Sequence, residues 1–170
     1  FSMLSELGVE LIDLGIIRDK RELIEQAFKD AAAQADVVIT SGGVSVGEAD
    51  FVKETLDNLG EVNFWRIAMK PGKPLAFGKV DDAWFFGLPG NPVSAMVTFL
   101  QFVRPAINHL SGKARVTPFR IPMRCINKLK KRPGRLEFQR GIMEQDEKGE
   151  TVVRGAGHQG SRSEERRVGK

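Results

Sequence analysis

The sequence predicts an α/β fold, a three-layer, mostly parallel sheet with helices on both faces, followed by a truncated small β-domain. Three observations carry this. Strand-like and helix-like periods alternate through residues 9–110, a glycine pair follows one apolar run, and helical periodicity stops at Ser111-Gly112-Lys113. With 170 residues, 41% of them hydrophobic, the chain is long enough for one sizeable core and a smaller appended unit.

Residues 1–7 read as the end of a helix stopped by Gly8, so the chain is expected to begin inside a domain. Val9-Glu-Leu-Ile-Asp-Leu14 then reads as a strand. Asp19-Lys-Arg-Glu22 has the form of a helix cap with an acid three residues on, and Leu23, Ile24, Ala27, Phe28 and Ala31 share one face of the helix that follows. Val37, Val38 and Ile39 form a short apolar strand that runs into Thr40-Ser41-Gly42-Gly43. After Asp50 the spacing of Phe51, Val52, Thr55, Leu56 and Leu59 is helical again. A strand–helix–strand–loop–helix order implies parallel pairing with right-handed crossovers.

Gly60 closes that helix, and Glu61 to Lys70 reads as the next strand. Lys70-Pro-Gly-Lys-Pro74 is a cationic turn stiffened by two prolines. Leu75–Val80 and Trp84–Leu88 form a strand pair around Asp81-Asp82. Asn91 suits a helix N-cap and Pro92 the first helical position, so a helix is expected from there toward Leu110, kinked at Pro105. Its apolar residues cover more than one face, as in a buried helix or one in a subunit contact. Beyond 112, Pro118–Asn127, Leu136–Gln145 and Thr151–Arg154 read as short strands separated by Lys-Lys-Arg-Pro-Gly and Asp-Glu-Lys-Gly-Glu turns. The expected units are 1–112, 113–160 and a non-native tail at 161–170.

Charge narrows the function classes. The net charge is +4, and without the last ten residues the balance is 22 basic against 20 acidic, too little for a nucleic-acid footprint. No apolar stretch reaches the roughly 18 residues of a membrane span, and no charged-then-apolar leader is present, so the expected location is cytoplasmic. The single cysteine, Cys125, excludes an internal disulfide and is expected to be a small buried apolar group. His109 reads as a helix-surface residue, and neither it nor His158 has the spaced partners of a zinc site.

The chemistry is expected where strands end, because backbone N–H groups and helix N-termini face outward there. Four groups fall at such ends: the glycine loop with Asp50, the pair Arg66 and Lys70, Asp19, and the Pro89-Gly-Asn-Pro92 turn. Together they offer phosphate donors, cations for an oxyanion and carboxylates for a divalent ion. Taken singly, Asp19 and Asp50 also read as plain N-caps, Lys70 and Lys73 as solvated turn lysines, and Gly42-Gly43 as a tight turn.

Four stretches, in order and spacing, resemble one family: Gly15–Asp19, Ser41–Asp50, Met69–Gly78 and Gly87–Ala95. They are similar to the molybdopterin molybdenumtransferases, the MoeA and gephyrin E-domain group, over about residues 1–160 and most strongly over 8–112. The resemblance implies that adenylylated molybdopterin and molybdate are converted to molybdenum cofactor and AMP, with Mg2+. It implies that Thr40, Ser41, Gly42, Gly43 and Ser45 hold the pterin phosphate and that Pro89 and Pro92 shape the pocket wall. Asp50, Lys70 and Arg66 would be catalytic, with Asp50 and Asp19 as metal ligands. The family often has lysine where Arg66 stands, and arginine's planar fork presents an oxyanion differently.

The family's Thr-Gly-Asp-Glu strand and loop, its two N-terminal domains and the end of its C-terminal β-domain have no counterpart in the sequence. The fragment is therefore expected to lack part of the site and much of the dimer interface. The resemblance also implies a homodimer when full length, and a molybdopterin adenylyltransferase as pathway partner. Two other readings remain at this point: a molybdopterin adenylyltransferase, which shares the glycine loop, and a non-catalytic gephyrin-like scaffold module.

Overall fold

The computed structural model describes residues 2–43, 49–114, 117–129, 131 and 133–157. The short helix α1 (Ser2–Ser5) precedes an extended stretch and α2 (Arg21–Gln34). Then come β1 (Val37–Ser41), α3 (Ala49–Leu59), β2 (Gly60–Arg66), β3 (Met69–Lys70), β4 (Pro74–Val80) and β5 (Ala83–Leu88). α4 (Pro92–Thr98) passes through one π-helical stretch, Phe99–Val103, into α5 (Arg104–Leu110). β6 (Arg124–Cys125), β7 (Leu136–Glu137), β8 (Gly141–Gln145) and β9 (Thr151–Gly155) complete the described chain.

The main sheet has the order β1-β5-β4-β2. The α/β class holds, with mixed rather than mostly parallel pairing among the described strands. β1 and β5 are parallel, while β4 is antiparallel to both β5 and β2. The hairpin around Asp81-Asp82 explains this: a two-residue connection joins only antiparallel strands, and Asp81 takes the required left-handed backbone, φ 49°. Because β4 reverses twice, β2 points the same way as β1 and β5.

Side chains on successive strand residues alternate between two apolar layers. Ala76, Val80 and Phe85 join Phe28 and Ala31 of α2 and Val52 and Leu56 of α3 in one cluster. Leu75, Phe86 and Leu88 join Phe99, Val103 and Ile107 in the other. The sheet is thus the middle of three layers. Each fully buried Leu, Val or Phe contributes about 1.5–3 kcal/mol.

Several expectations are corrected. Val9–Leu14 is not a strand; it is extended and mostly exposed, because no strand lies beside it to complete a ladder. Glu61–Lys70 is two strands, with Ile67 turning inward to donate to the Lys73 carbonyl at 2.8 Å. The N-cap of α2 is Lys20, without a side-chain cap bond, so Asp19 lies one residue outside the helix. α3 starts at Ala49, which puts Asp50 one residue inside the helix rather than at its cap.

At Pro105 the helical path continues from the π-helical stretch into α5. The wider turn before it, in which the Arg104 N–H donates to Phe99 five residues back, accommodates a residue that lacks an amide proton. Asn91 caps α4 as expected: its Oδ1 accepts from the Ser94 N–H at 3.1 Å, worth about 1 kcal/mol. The helix is buried on one face only, since Met96, Leu100 and Leu110 remain 40–48% exposed.

After residue 112 the strands are shorter than the sequence suggests. Only Arg124–Cys125 of 118–127 is a strand, and 136–145 divides into β7 and β8. β6, β9 and β8 form a small sheet, whereas β7 pairs in parallel with β3. Cys125 is half-buried in β6 rather than part of a core, and His109 is exposed in the last turn of α5. His158 and the tail lie outside the described residues. No described helix is long and apolar enough to cross a membrane.

Candidate functional site

The strand directions place the ends of β1, β5 and β2, with Thr40, Ser41, Pro89 and Arg66, on one edge; Lys70 belongs to the separate β3–β7 pair, and Asp19 follows no strand. Thr40, Gly87, Ala76 and Phe64 form a single lateral row across the sheet. One residue further, Ser41 lies beside Leu88; two residues past Phe64 stands Arg66. β1 and β2 are three strand spacings apart, so Arg66 is about 14 Å across the sheet from the glycine loop.

Two sequence motifs separated by some fifty residues meet at the ends of β1 and β5. The Gly42 N–H donates to the Leu88 carbonyl at 3.0 Å, and the Ser41 hydroxyl makes a long contact, 3.4 Å, with the Pro89 carbonyl. A Cβ on Gly90 would stand only 3.4 Å from the Gly42 Cα. Pro89 is buried and forms the wall between the loop and α4; Pro92 is the exposed first residue of that helix. Because Gly42's amide is used by Leu88, Gly43's is the one without an acceptor among the described residues. The Thr40 hydroxyl is buried without a hydrogen-bond partner among the described residues, at the mouth of the loop. Ser45 lies outside the described residues, as does the side chain of Asp50.

Asp19 is exposed, with no hydrogen bond or ion pair among the described residues. The Arg21–Glu54 ion pair, 2.9 Å, ties the beginning of α2 to α3. Asp19 therefore lies just before the start of α2 and Asp50 in the first turn of α3, on two helices that this pair joins. Among the described residues no three His, Cys, Asp or Glu side chains form a metal-sized group. Two carboxylates are nonetheless the donor set Mg2+ takes when phosphate oxygens and water supply the rest.

Arg66 is exposed at the end of an edge strand and makes no ion pair among the described residues. Lys70 does: its Nζ lies 2.9 Å from Glu137 Oε1. The pair is brought together by β3 and β7, where Lys70 is directly opposite Glu137. The hydrogen bond from Lys70 holds the Glu137 carboxyl below its ordinary range, with Gln139 and Lys131 acting the same way against partial burial. Gly72, at φ 101°, lets the cationic turn sit on α4. A Cβ there would come within 2.6 Å of the buried Thr98 hydroxyl and 2.4 Å of Met69 Cε.

Beside this pair is a cavity of about 570 Å3 lined by Lys70, Lys128, Lys131, Arg135 and Glu137, with Leu129 and Pro133. Lys128, Lys131, Arg135 and Glu137 were not among the residues expected from the sequence. The run Lys128-Leu-Lys-Lys-Arg-Pro-Gly-Arg135, five basic residues in eight, reads locally as a turn. Its charge density was the signal available.

A sheet edge that joins a glycine loop to a proline-rich turn is the place where open α/β domains take their ligands. The chain belongs to the family described as probable molybdopterin binding domain, whose model matches residues 1–109. It is 54% identical over 161 residues to a molybdopterin molybdenumtransferase from Haemophilus influenzae, covering 94% of this chain and 40% of that protein. It is 43% identical over 115 residues to gephyrin from Dictyostelium discoideum, covering 58% of this chain and 16% of that one. Among solved structures, a molybdopterin biosynthesis MoeA protein from Pyrococcus horikoshii superposes with TM-score 0.58 at 36% identity, over 66% of this chain and 27% of that one. A molybdenum cofactor biosynthesis protein from Pyrococcus furiosus shares the fold with TM-score 0.67 at 24% identity, over 89% and 48%. The chain thus spans less than half the length of each of these relatives.

Proposed function

We propose that the chain is the ligand-binding part of a molybdopterin molybdenumtransferase, acting in the cytoplasm as a homodimer when joined to the rest of its protein. The reaction is insertion of molybdenum from molybdate into adenylylated molybdopterin, with release of AMP. Residues 1–112 are its α/β domain and 113–160 the start of its C-terminal β-domain. The observation that carries this reading is the meeting of the glycine loop and the Pro89–Pro92 turn through Gly42 and Leu88.

In this reading the Gly43 amide and the Thr40, Ser41 and Ser45 hydroxyls receive the pterin phosphate. Pro89 and Pro92 shape the wall, and the partnerless Thr40 hydroxyl gains an acceptor when ligand arrives. Lys70 with the basic cavity takes molybdate, and Arg66 faces the anhydride from the far side of the sheet. Asp50 and Asp19 would hold Mg2+, which when bound shields the charge of the phosphoanhydride. The exposed apolar face of α4 and α5 supports the homodimer, and a molybdopterin adenylyltransferase is the expected supplier of substrate. An adenylyltransferase activity for this chain is the weaker alternative, since it leaves β6 to β9 without a role.

Asp50→Asn in a full-length relative is expected to reduce molybdate-dependent AMP release by roughly 100-fold or more while leaving the fold intact. Release would be followed by quantifying AMP, and the fold by circular dichroism. Unchanged turnover removes Asp50 from the mechanism.

A further inference from the structure

The Lys70–Glu137 pair raises a question of charge. Among the described residues, four cations and one carboxylate line the cavity, and the carboxylate is bonded to Lys70 of the cationic turn. The Glu137 side chain is only 11% exposed, against 55% for Lys70. Its backbone is held beside Lys70, because β7 is fastened on both sides of it: Leu136 N–H donates to Ala68 O, and Phe138 N–H to Lys70 O, each at 2.8 Å.

We infer that Glu137 is an intramolecular competitor for the cationic cavity, holding Lys70 until an oxyanion displaces it and so lowering the affinity for that oxyanion. This rests on the reading of the cavity as the molybdate site. Two physical terms work against an arriving anion. Lys70 must first give up a hydrogen-bonded ion pair. The freed carboxylate then stays in the cavity, pinned by its backbone, and repels the newcomer; its contact with Gln139 gives it a partner in the displaced position. A cavity with four free cations would hold a dianion tightly and release it slowly. An internal carboxylate speeds release, which suits a site that hands its oxyanion to a second reactant.

The rival explanation is structural: Glu137 merely docks β7 on β3 and positions Lys70 for the ligand. The two differ in sign. A competitor predicts that removing the carboxylate tightens anion binding, whereas a positioning group predicts that it weakens binding.

Molybdate titrated calorimetrically into the 170-residue chain and into Glu137→Gln tests this, with thermal unfolding as the check on structure. Binding about fivefold tighter is expected in the variant. Lys70→Gln should cost little affinity in the native background and distinctly more in the Glu137→Gln background, because only there is Lys70 unopposed. Glu137→Asp, one methylene shorter, keeps the charge but not the reach. It is expected to fall between the two, and it serves if Glu137→Gln does not fold. Equal or weaker binding in folded variants, with native binding intact, overturns the competitor and leaves the proposed function standing. No molybdate binding by either native chain or variants overturns both.

Discussion

Phe85→Ala is expected to destabilise the chain by about 3–5 kcal/mol, enough to unfold most or all of a domain of ordinary stability. Phe85 is fully buried in the central strand β5, with its ring edge-on to Phe28 of α2 at 5.4 Å and 79°. It therefore links the sheet to the helical layer formed by α2 and α3. Its neighbours Ala76, Val80 and Leu56 are themselves fully buried and close-packed, so the space vacated by the ring has no flexible side chain to fill it. The loss reaches the site as well, because β5 carries Leu88 and Pro89 to the glycine loop. A urea titration followed by circular dichroism measures it. A shift below about 1 kcal/mol would mean that this layer relaxes around the gap and that the three-layer packing is described wrongly.

Gly43→Val is expected to weaken ligand binding strongly at a smaller cost in stability. Gly43 has φ 70°, a conformation that β-branched residues adopt only with strain of about 1–3 kcal/mol. A Cβ at this position would also stand 3.0 Å from Val52 Cγ2, so the loop has to shift away from α3. That movement misplaces the Gly43 amide, which has no acceptor among the described residues, relative to the Thr40 and Ser41 hydroxyls. Losing one or two hydrogen bonds to a charged phosphate is worth about 1.5–3 kcal/mol each, so affinity for adenylylated molybdopterin should fall roughly 100-fold. Calorimetry on the folded variant measures it. Binding within a factor of two of the native chain would remove the glycine loop from the phosphate site.

Much of this architecture could be read from local patterns. The Asp81-Asp82 hairpin, the Asn91 cap and the glycine loop after β1 each depend on a few adjacent residues whose conformational preferences decide the outcome. The Val9–Leu14 segment depended instead on a neighbour to pair with, and alternation alone does not supply one. The break in 61–70 has the same character: Ile67 leaves the strand because Lys73, across the turn, offers it a carbonyl. Asp19 and Asp50 were displaced from helix caps by one and two residues, within the ordinary uncertainty of helix ends.

The candidate site divides along the same line. The motifs at 40–43 and 87–92 were visible because each is a strand end, and parallel pairing of β1 with β5 brings them together. Glu137 was not visible. It reaches Lys70 from 67 residues away through a two-residue ladder, and nothing in its own surroundings marks it as more than one polar position of a short strand. The same pairing gathers Lys128, Lys131 and Arg135 beside the cationic turn, turning a basic loop into one wall of a cavity.

The carboxyl edge of the sheet is expected to be a working pterin site. Calorimetric titration of the 170-residue chain with adenylylated molybdopterin, with and without molybdate and Mg2+, tests this most directly. Saturable one-to-one binding, weakened by Gly43→Val, is the predicted result. A chain shown to be folded that takes up no ligand under any of these conditions would contradict it.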